Sequence, residues 1–277
     1  MVELLGGADI RQMADALGVV PTKKLGQNFV TDPNTIRKIV ASAKLSEDET
    51  VVEIGPGLGS LTLGLLEVAE HVISVEIDAK MAAAIEKTAA TRAAGRKFSL
   101  VTQDAMKVTE LPADPTALVA NLPYNISVPV LLHFIETFPS LRHGLVLVQT
   151  EVAQRLAAKP GSKVYGGPSA KLAWWADANM AGNVSRSIFW PIPNVDSSLV
   201  YFAKRDEPIG SEDLRLKTFA VIDGAFSQRR KTLRQALAEL AGSPAEAEAL
   251  LVKAGISPQA RGEQLVIDDF IKIAKQL

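Results

Sequence analysis

Short apolar segments alternate with helical patterns through the first two-thirds of the chain, and this alternation most strongly limits the folds open to it. From this pattern we predict five buried strands, at Thr50–Gly55, His71–Asp78, Phe98–Val101, Ala117–Ala120 and Gly144–Gln149. Short strands separated by helices of about 10–15 residues are typical of parallel sheets that are covered on both faces. The predicted fold class is therefore α/β, with a mostly parallel sheet.

Helical patterns fill the intervals between these strands, and one precedes the first strand. Helices are predicted at Leu61–Glu70, Ala79–Arg92 and Pro129–Thr137. The earlier helix begins after Asp32, which can cap it, and Pro33 suits a first position that needs no N–H donor. Its apolar face consists of Ile36, Ile39, Val40 and Ala43.

The pattern changes near Asp206, where the strand signals end. Four helices are predicted beyond this point, at Leu214–Phe226, Lys231–Leu240, Ala245–Ala254 and Ile267–Lys275. Glycine and proline separate them at 242–244 and at 255–258. We therefore predict a large domain over residues 1–205 and a small all-helical domain over residues 206–277, a division that suits a length of 277 residues.

Composition excludes several kinds of site. The chain has no cysteine, so it has no disulfide and no thiolate metal site, and its three histidines are scattered, so we expect no metal. The formal net charge is −1, so a surface that binds nucleic acid must be a local basic patch. No apolar stretch reaches the roughly 18 residues of a membrane helix and the N-terminus lacks the features of a signal peptide, so we expect a cytoplasmic protein without a membrane partner.

A glycine-rich loop follows the first predicted strand and opens a helix. Gly55, Gly57 and Gly59 let the backbone turn sharply and pass close to a ligand. The dinucleotide fingerprint G-x-G-x-x-G would need glycine where Ser60 stands. The loop is therefore predicted to bind the uncharged edge of a nucleoside rather than a pyrophosphate. The alternative is a tight turn that binds no ligand.

Carboxylates follow the next two predicted strands. Glu76 ends the second strand, where it can accept hydrogen bonds from ribose hydroxyls, and Asp78 is nearby but less well placed. Asp104 follows the third strand and could accept a hydrogen bond from an adenine amine, although a solvated acid explains it equally well. Because ligands of open parallel sheets bind at the carboxyl ends of the strands, we predict one nucleoside site at this edge.

The most specific feature of the chain follows the fourth predicted strand and consists of Asn121, Leu122, Pro123 and Tyr124. An aromatic amine is a poor nucleophile because its lone pair is delocalised into the ring. The Asn121 side-chain oxygen and a backbone carbonyl can accept its two N–H bonds and so localise that lone pair. Pro123 rigidifies the turn that directs the carbonyl, and Tyr124 can stack on the base. The pattern therefore predicts an enzyme that makes an aromatic amine react mainly by positioning it, without a strong general base.

Taken in order, these motifs resemble the small-subunit ribosomal RNA adenine N6,N6-dimethyltransferases, the family tied to kasugamycin sensitivity. The resemblance covers most of the chain, and it also rests on Lys24–Phe29, Gln149–Leu156, Phe189–Ser197 and Phe226–Arg234, with a looser match at Arg261–Leu265. One segment departs from the family pattern: Gly167–Leu172 stands where the family usually has a short Leu-Ser-Val run. That departure leaves the shape of the segment and its substrate contacts open.

The resemblance implies a Rossmann-like class I methyltransferase domain, a helical domain that contacts RNA, and S-adenosylmethionine as the cofactor. Together with the strand-end residues above, it implies cofactor contacts from Gln27, Asn28, Val30, Gly55, Gly57, Glu76, Ile77, Asp104, Ala105 and Asn121. It also implies that Phe189 holds a flipped adenine against Tyr124, so Phe189 joins the expected catalytic residues.

By the same resemblance, the reaction dimethylates two adjacent adenosines near the 3′ end of 16S ribosomal RNA. The expected partner is the assembling 30S subunit, and the expected oligomeric state is a monomer. Phosphate contacts are predicted from Lys24, Arg155, Arg229, Arg230, Lys231 and Arg234, the last four at a helix start. The alternative for those four residues is a helix face that contacts only solvent, with some of its side chains in a structural role.

Three other functions stay open from the residues alone. A related enzyme of the large ribosomal subunit would share the cofactor and amine motifs, although the basic signature at 226–234 favours the small subunit. A ribosome-assembly checkpoint would depend on binding rather than on methylation. A nicotinamide oxidoreductase would bind NAD at the glycine-rich loop.

Overall fold

A computed structural model describes residues 2–18, 28–123 and 126–277 of the chain. It divides into two compact units. The first consists of Met1–Ala153 and Met180–Lys204, and the second of Gln154–Asn179 and Arg205–Leu277. None of the helices within the described ranges is long and apolar enough to cross a membrane.

A seven-stranded sheet forms the centre of the first unit. Its strands are β2 (Thr50–Ile54), β3 (His71–Glu76), β4 (Lys97–Thr102), β5 (Ala117–Asn121), β6 (His143–Gln149), β7 (Ala176–Val184) and β9 (Ser197–Lys204). The first four residues of β7 belong to the second unit. They lie in the order β4-β3-β2-β5-β6-β9-β7. The first five strands of this order are parallel to one another, and β9 is antiparallel to β6. All five predicted strands are present and the α/β class is confirmed, whereas β7 and β9 were not predicted.

Helices cover the sheet, and a second, two-stranded sheet lies beside it in the same unit. The helices are α1 (Gly7–Ala16), α2 (Pro33–Ser42), α3 (Ser60–Val68), α4 (Ala79–Arg92), α5 (Ser127–Thr137) and α6 (Thr150–Leu156), the last of which crosses the unit boundary. The small sheet pairs β1 (Phe29–Val30) with β8 (Phe189–Trp190) in antiparallel register. As predicted, the Asp32 carboxylate caps α2, where it accepts the backbone N–H of Thr35 at 2.9 Å.

Close packing between α2 and α3 fixes the helix that follows the glycine-rich loop. Ile36 and Val40 of α2 are buried, and they face Gly64 in the middle of α3. A Cβ atom at Gly64 would lie 2.4 Å from the Ile36 Cγ2 atom, so only glycine permits this approach without movement. Leu63, Leu65 and Leu66 on the remaining faces of α3 are fully buried. The start of α3 is therefore held firmly against the sheet.

The second unit is mainly helical. Its helices are α7 (Gly167–Trp175), α8 (Glu212–Ser227), α9 (Leu233–Ala236), α10 (Ala238–Ala241), α11 (Pro244–Lys253) and α12 (Ile267–Ala274). The predicted helix at Lys231–Leu240 is wrong as a single element, because the chain leaves the helical conformation at Leu237 and forms α9 and α10. The segment that departs from the family pattern, 167–172, forms the start of α7 rather than a strand.

Residues 154–179 belong to the second unit, whereas the sequence pattern placed them in the first domain. The reason is their packing: Tyr165 and Ala170 are buried in a core that also contains Val221, Leu251 and Phe270. A local sequence pattern cannot reveal these contacts because the segments that form them are distant in the chain. The predicted boundary near residue 205 coincides with the point where the second unit resumes.

Candidate functional site

A cavity of about 370 Å³ lies in the first unit, at the carboxyl ends of β2, β3, β4 and β5. This is the edge of a parallel sheet at which ligands bind. Its described lining is Asn28, Phe29, Val30, Glu53, Ile54, Gly55, Pro56, Gly57, Leu58, Ser60, Leu61, Val75, Glu76, Ile77, Asp78, Gln103, Asp104, Ala105, Asn121, Pro123 and Ile126. Of the ten residues predicted to contact a cofactor, the structure brings nine to this cavity, and Gln27 lies outside the described residues.

The glycine-rich loop after β2 runs along the cavity in a backbone conformation that side chains disfavour. Gly57 has φ of +56°, in the left-handed region. A Cβ atom there would also lie 2.8 Å from a ring carbon of Phe29, closer than real Cβ contacts allow. The backbone of the loop therefore forms part of the cavity wall, and a bulkier residue at Gly57 would displace it.

Glu76 joins the end of β3 to the glycine-rich loop. Its carboxylate accepts the backbone N–H of Asp78 at 2.9 Å and that of Gly57 at 3.4 Å. The side chain is 7% exposed, and this burial raises its pKa, an effect that the backbone hydrogen bonds partly offset. Glu76 thus presents a fixed acceptor to whatever occupies the cavity.

Two further carboxylates line the cavity and also cap local structure. Asp78 accepts the backbone N–H groups of Lys80 at 2.8 Å and Met81 at 3.2 Å, and so caps α4. Asp104 accepts the N–H of Met106 at 3.0 Å and caps the short 3₁₀ turn Ala105–Lys107. Part of the hydrogen-bonding capacity of each is therefore used within the protein.

Glu53 is a lining residue that the sequence prediction of site residues missed. It is 1% exposed, and its carboxylate accepts the hydroxyls of Thr62 at 2.6 Å and Ser74 at 2.8 Å. Burial raises the pKa of Glu53 to about 7, even though both hydroxyls favour the ionised form. The signal in the sequence was an acid inside an apolar strand next to the glycine-rich loop.

Asn121 ends β5 with its side chain held in one orientation. Its amide nitrogen donates to the backbone carbonyl of Asn28 at 3.0 Å, which leaves the side-chain oxygen as the end that can accept a ligand N–H. The N–H of Leu122 donates to the Leu147 carbonyl at 3.1 Å, and the Pro123 carbonyl accepts from Ile126 at 3.2 Å. These bonds fix the turn after β5. Tyr124 lies outside the described residues.

Phe189 is not among the residues that line the cavity. It is 2% exposed and lies in β8, opposite Val30 of β1. Its ring packs in the hydrophobic core of the first unit, so in this arrangement it presents no open face to a base. The stacking role expected for Phe189 stays a prediction.

The basic cluster at 229–234 lies in the second unit. Arg229, Arg230 and Lys231 occupy the turn between α8 and α9 rather than a helix start, and only Arg234 is helical. Arg229 lies 3.3 Å from the Glu263 carboxylate and donates to the Lys163 carbonyl, while Arg234 Nε lies 2.7 Å from a Glu248 oxygen.

Arg230 and Lys231 are exposed. Because Arg229 and Arg234 already have acidic partners, Arg230 and Lys231 are more accessible to a phosphate than those two. Among the other cations expected to contact RNA, Arg155 lies in α6 and Lys24 lies outside the described residues.

The charge of the cavity suits a cationic ligand. Four carboxylates line it, those of Glu53, Glu76, Asp78 and Asp104, and its described lining contains no Lys, Arg or His. Ile77 also lines it and is 63% exposed, so it offers an apolar surface to a flat ring. In the described ranges, no group of three His, Asp or Glu side chains could hold a metal ion.

Comparison with known proteins gives consistent matches. The family model described as ribosomal RNA adenine dimethylase matches residues 21–277. The chain is 60% identical over 275 residues to "Ribosomal RNA small subunit methyltransferase A" of Streptomyces avermitilis, which covers 98% of this chain and 93% of that protein.

Among solved structures, a dimethyladenosine transferase from Plasmodium falciparum is 25% identical and covers 88% of this chain and 95% of its own, with a TM-score of 0.75. The 23S rRNA methyltransferase ErmE matches with a TM-score of 0.67, over 90% of this chain and 99% of its own. Its identity of 24% supports a common fold alone.

Proposed function

The chain belongs to the ribosomal RNA adenine dimethylase family, and from this premise we propose that it dimethylates the N6 amines of two adjacent adenosines near the 3′ end of 16S rRNA. The methyl donor is S-adenosylmethionine, and the products are N6,N6-dimethyladenosines. The substrate is the assembling 30S subunit in the cytoplasm, and the enzyme acts as a monomer.

The observation that carries this proposal is a single cavity that combines a nucleoside-binding edge with an oriented amide acceptor. Glu76 and Asp104 follow neighbouring strands at one end of the cavity, and Asn121 ends β5 on the other side of β2. A nucleoside and an amine substrate can therefore meet within one site.

The lining residues fit S-adenosylmethionine. The Glu76 carboxylate can accept hydrogen bonds from the ribose hydroxyls, as acids at this position do in nucleotide-binding α/β folds. Ile77 offers its exposed side chain to the adenine face, and Asp104 can accept the adenine amine. A cationic ligand also suits a described lining that has four carboxylates and no basic side chain.

When bound, S-adenosylmethionine supplies an activated methyl group on a sulfonium. Asn121 accepts one N–H of the adenine amine at its side-chain oxygen, whose orientation the Asn28 carbonyl fixes. The Leu122 carbonyl accepts the second N–H, and Pro123 restricts the turn that directs it. These two acceptors localise the lone pair of the amine. Catalysis is then mainly positioning, which can contribute roughly 7–11 kcal/mol.

Methylation of purified ribosomal subunits tests the proposal. Labelled S-adenosylmethionine, the protein and under-methylated 30S particles should yield N6,N6-dimethyladenosine after nucleoside analysis, whereas 50S particles from the same cells should yield none. Label only in 50S particles would contradict the small-subunit assignment. No label in either particle would contradict the proposal that the protein methylates ribosomal RNA.

The Asn121→Ala variant separates catalysis from binding. We expect it to bind 30S particles like the wild type but to transfer methyl groups at least 100-fold more slowly, because the loss of one oriented acceptor costs about 3 kcal/mol in the transition state. Subunit maturation measured in cells that carry this variant tests the checkpoint role. Normal maturation without methylation would show that binding is the main task.

A further inference from the structure

Glu53 places a carboxyl group in the interior of the first unit, at the wall of the cavity described above. Its side chain accepts the hydroxyls of Thr62 and Ser74, and among the described residues it has no ion pair. The two hydroxyls are neutral dipoles, so they stabilise a negative charge there without balancing it. Because a buried charge without a counterion is costly, the charge state of this carboxyl depends on what else enters the cavity.

The charged groups around Glu53 in the described lining of the cavity are all acids. Glu76 lies on the neighbouring strand β3, Asp78 follows that strand, and Asp104 follows β4. The described lining from α3 and from the end of β5 has no titratable side chain. Burial raises the pKa of Glu53 to about 7, and the charge of Glu76 acts in the same direction, against the two hydroxyls. Near neutral pH the carboxyl therefore occurs both with and without its proton.

A positive charge in the cavity shifts this balance toward the ionised carboxylate. An opposite charge favours the charged form of an acid, and in a poorly solvated site the attraction acts over several Å without direct contact. The buried position of Glu53 is therefore no obstacle to the effect, because low solvation strengthens the attraction.

The methyl donor and the product that it leaves behind differ in this charge. S-adenosylmethionine has a sulfonium, whereas S-adenosylhomocysteine has a neutral thioether in its place and otherwise the same groups. A proton on Glu53 is therefore disfavoured while the donor is bound and favoured again when the product is bound.

We infer that Glu53 releases its proton when the sulfonium cofactor binds and takes a proton up again once methyl transfer has left the neutral thioether. Only the O–H bond of the carboxyl breaks and re-forms, and the proton passes to and from water. The ionised carboxylate attracts the methyl donor and not the product, so Glu53 helps to determine which of the two the site holds. This inference rests on the proposed function, because it assumes the methyl donor named there.

Titration calorimetry with the two ligands tests the inference. If the bound cation lowers the pKa of Glu53 by about one unit, the Kd of S-adenosylmethionine should fall about fivefold from pH 6 to pH 8. The Kd of S-adenosylhomocysteine should stay nearly constant over this range. Repeated titrations at pH 7 in buffers of different ionisation enthalpy should show the release of about 0.4 proton for each S-adenosylmethionine bound.

Three variants assign this behaviour to Glu53. Glu53→Gln should lose most of the pH dependence and the proton release, and because the ligand's own groups titrate alike with either protein, its difference from the wild type isolates this carboxyl. Glu47→Gln, the same substitution at an exposed side chain, should retain both. Thr62→Val keeps the carboxyl but removes a hydroxyl that favours its ionised form. It should move the midpoint of the pH dependence upward, which a merely structural role of Glu53 would not explain.

Several results would overturn the inference. Wild-type pH dependence in Glu53→Gln would mean that another acid of the cavity releases the proton. Equal pH dependence for the two ligands would mean that the sulfonium charge has no part in it. Should Glu53→Gln fail to fold, an unchanged midpoint in Thr62→Val would decide against Glu53. If the wild type binds neither ligand, the proposed function fails instead, and that result is distinct from a failure of this inference.

Discussion

Buried acids next to a glycine-rich loop are the most unusual feature of this protein at the scale of single residues. Glu53 and Glu76 are both nearly inaccessible, and burial raises the pKa of each. Neither has a basic partner in the described lining of the cavity, so hydroxyls and backbone N–H groups are what stabilise the charges. A cationic ligand would supply the missing positive charge, and such sites are often functional.

Glu53 should make stability depend on pH. Its pKa is about 7 in the folded protein and near 4.5 in the unfolded chain, so the folded state holds the proton more tightly. The stability that this proton provides is fully present below pH 4.5 and is lost as the pH rises through 7, an effect of about 3 kcal/mol. Glu53→Gln lacks this titration. The variant should therefore gain stability relative to the wild type between pH 5 and pH 8.

Urea denaturation at several pH values measures this effect. Glu47→Gln, the same substitution at an exposed side chain, is the matched control. If the difference between Glu53→Gln and the wild type does not change with pH, the buried carboxyl does not hold its proton as described.

At the scale of secondary-structure elements, the contact between α2 and α3 holds in place the helix that starts at the cavity. α3 starts at the cavity with Ser60, and Gly64 in its middle allows Ile36 to approach. Glycine in a helix interior costs about 1 kcal/mol relative to alanine, so packing must outweigh propensity here.

Gly64→Ala tests which of these two terms is larger. Helix propensity alone predicts a gain of about 1 kcal/mol, whereas an added methyl in a filled core typically costs roughly 1–3 kcal/mol. With its Cβ atom 2.4 Å from Ile36 Cγ2, we expect a net loss of about 1 kcal/mol in the free energy of unfolding. Gly167→Ala, in the first turn of α7 with no atom within 4 Å, should show no such loss. A stabilised Gly64→Ala variant would contradict the packing argument.

At the scale of the whole molecule, a net charge of −1 means that RNA affinity must come from a few local cations. Within the basic cluster, Arg229 and Arg234 already have acidic partners in their own unit. Arg230 and Lys231 are exposed beside them. Arg229 and Arg234 therefore stabilise the helical unit through their ion pairs. The exposed Arg230 and Lys231 are the better candidates for phosphate contacts.

The double variant Arg230→Ala and Lys231→Ala should weaken binding to 30S particles without loss of stability. Each lost phosphate contact lowers the slope of log affinity against log salt by roughly 0.7–0.9, so the slope should become shallower by about 1.5. Filter binding at several salt concentrations measures it.

The variant Arg229→Ala gives the contrast, because it should lower the melting temperature by removing the bonds to Glu263 and to the Lys163 carbonyl. An unchanged salt slope in the double variant would remove Arg230 and Lys231 from the RNA surface.

The sequence by itself determined the parallel strands, the Asp32 cap and the residues at the strand ends, because each depends on local periodicity or on the chemistry of one short motif. Strands β7 and β9 were missed, although the apolar run Leu199–Phe202 is itself a strand signal, and the tertiary structure placed β9 beside β6 and β7 at the edge of the sheet. The cluster of Glu53 with Thr62 and Ser74, the burial of Phe189 and the membership of 154–179 in the second unit were likewise decided by tertiary structure. All of these depend on contacts between residues far apart in the chain, whose free energy no local pattern encodes.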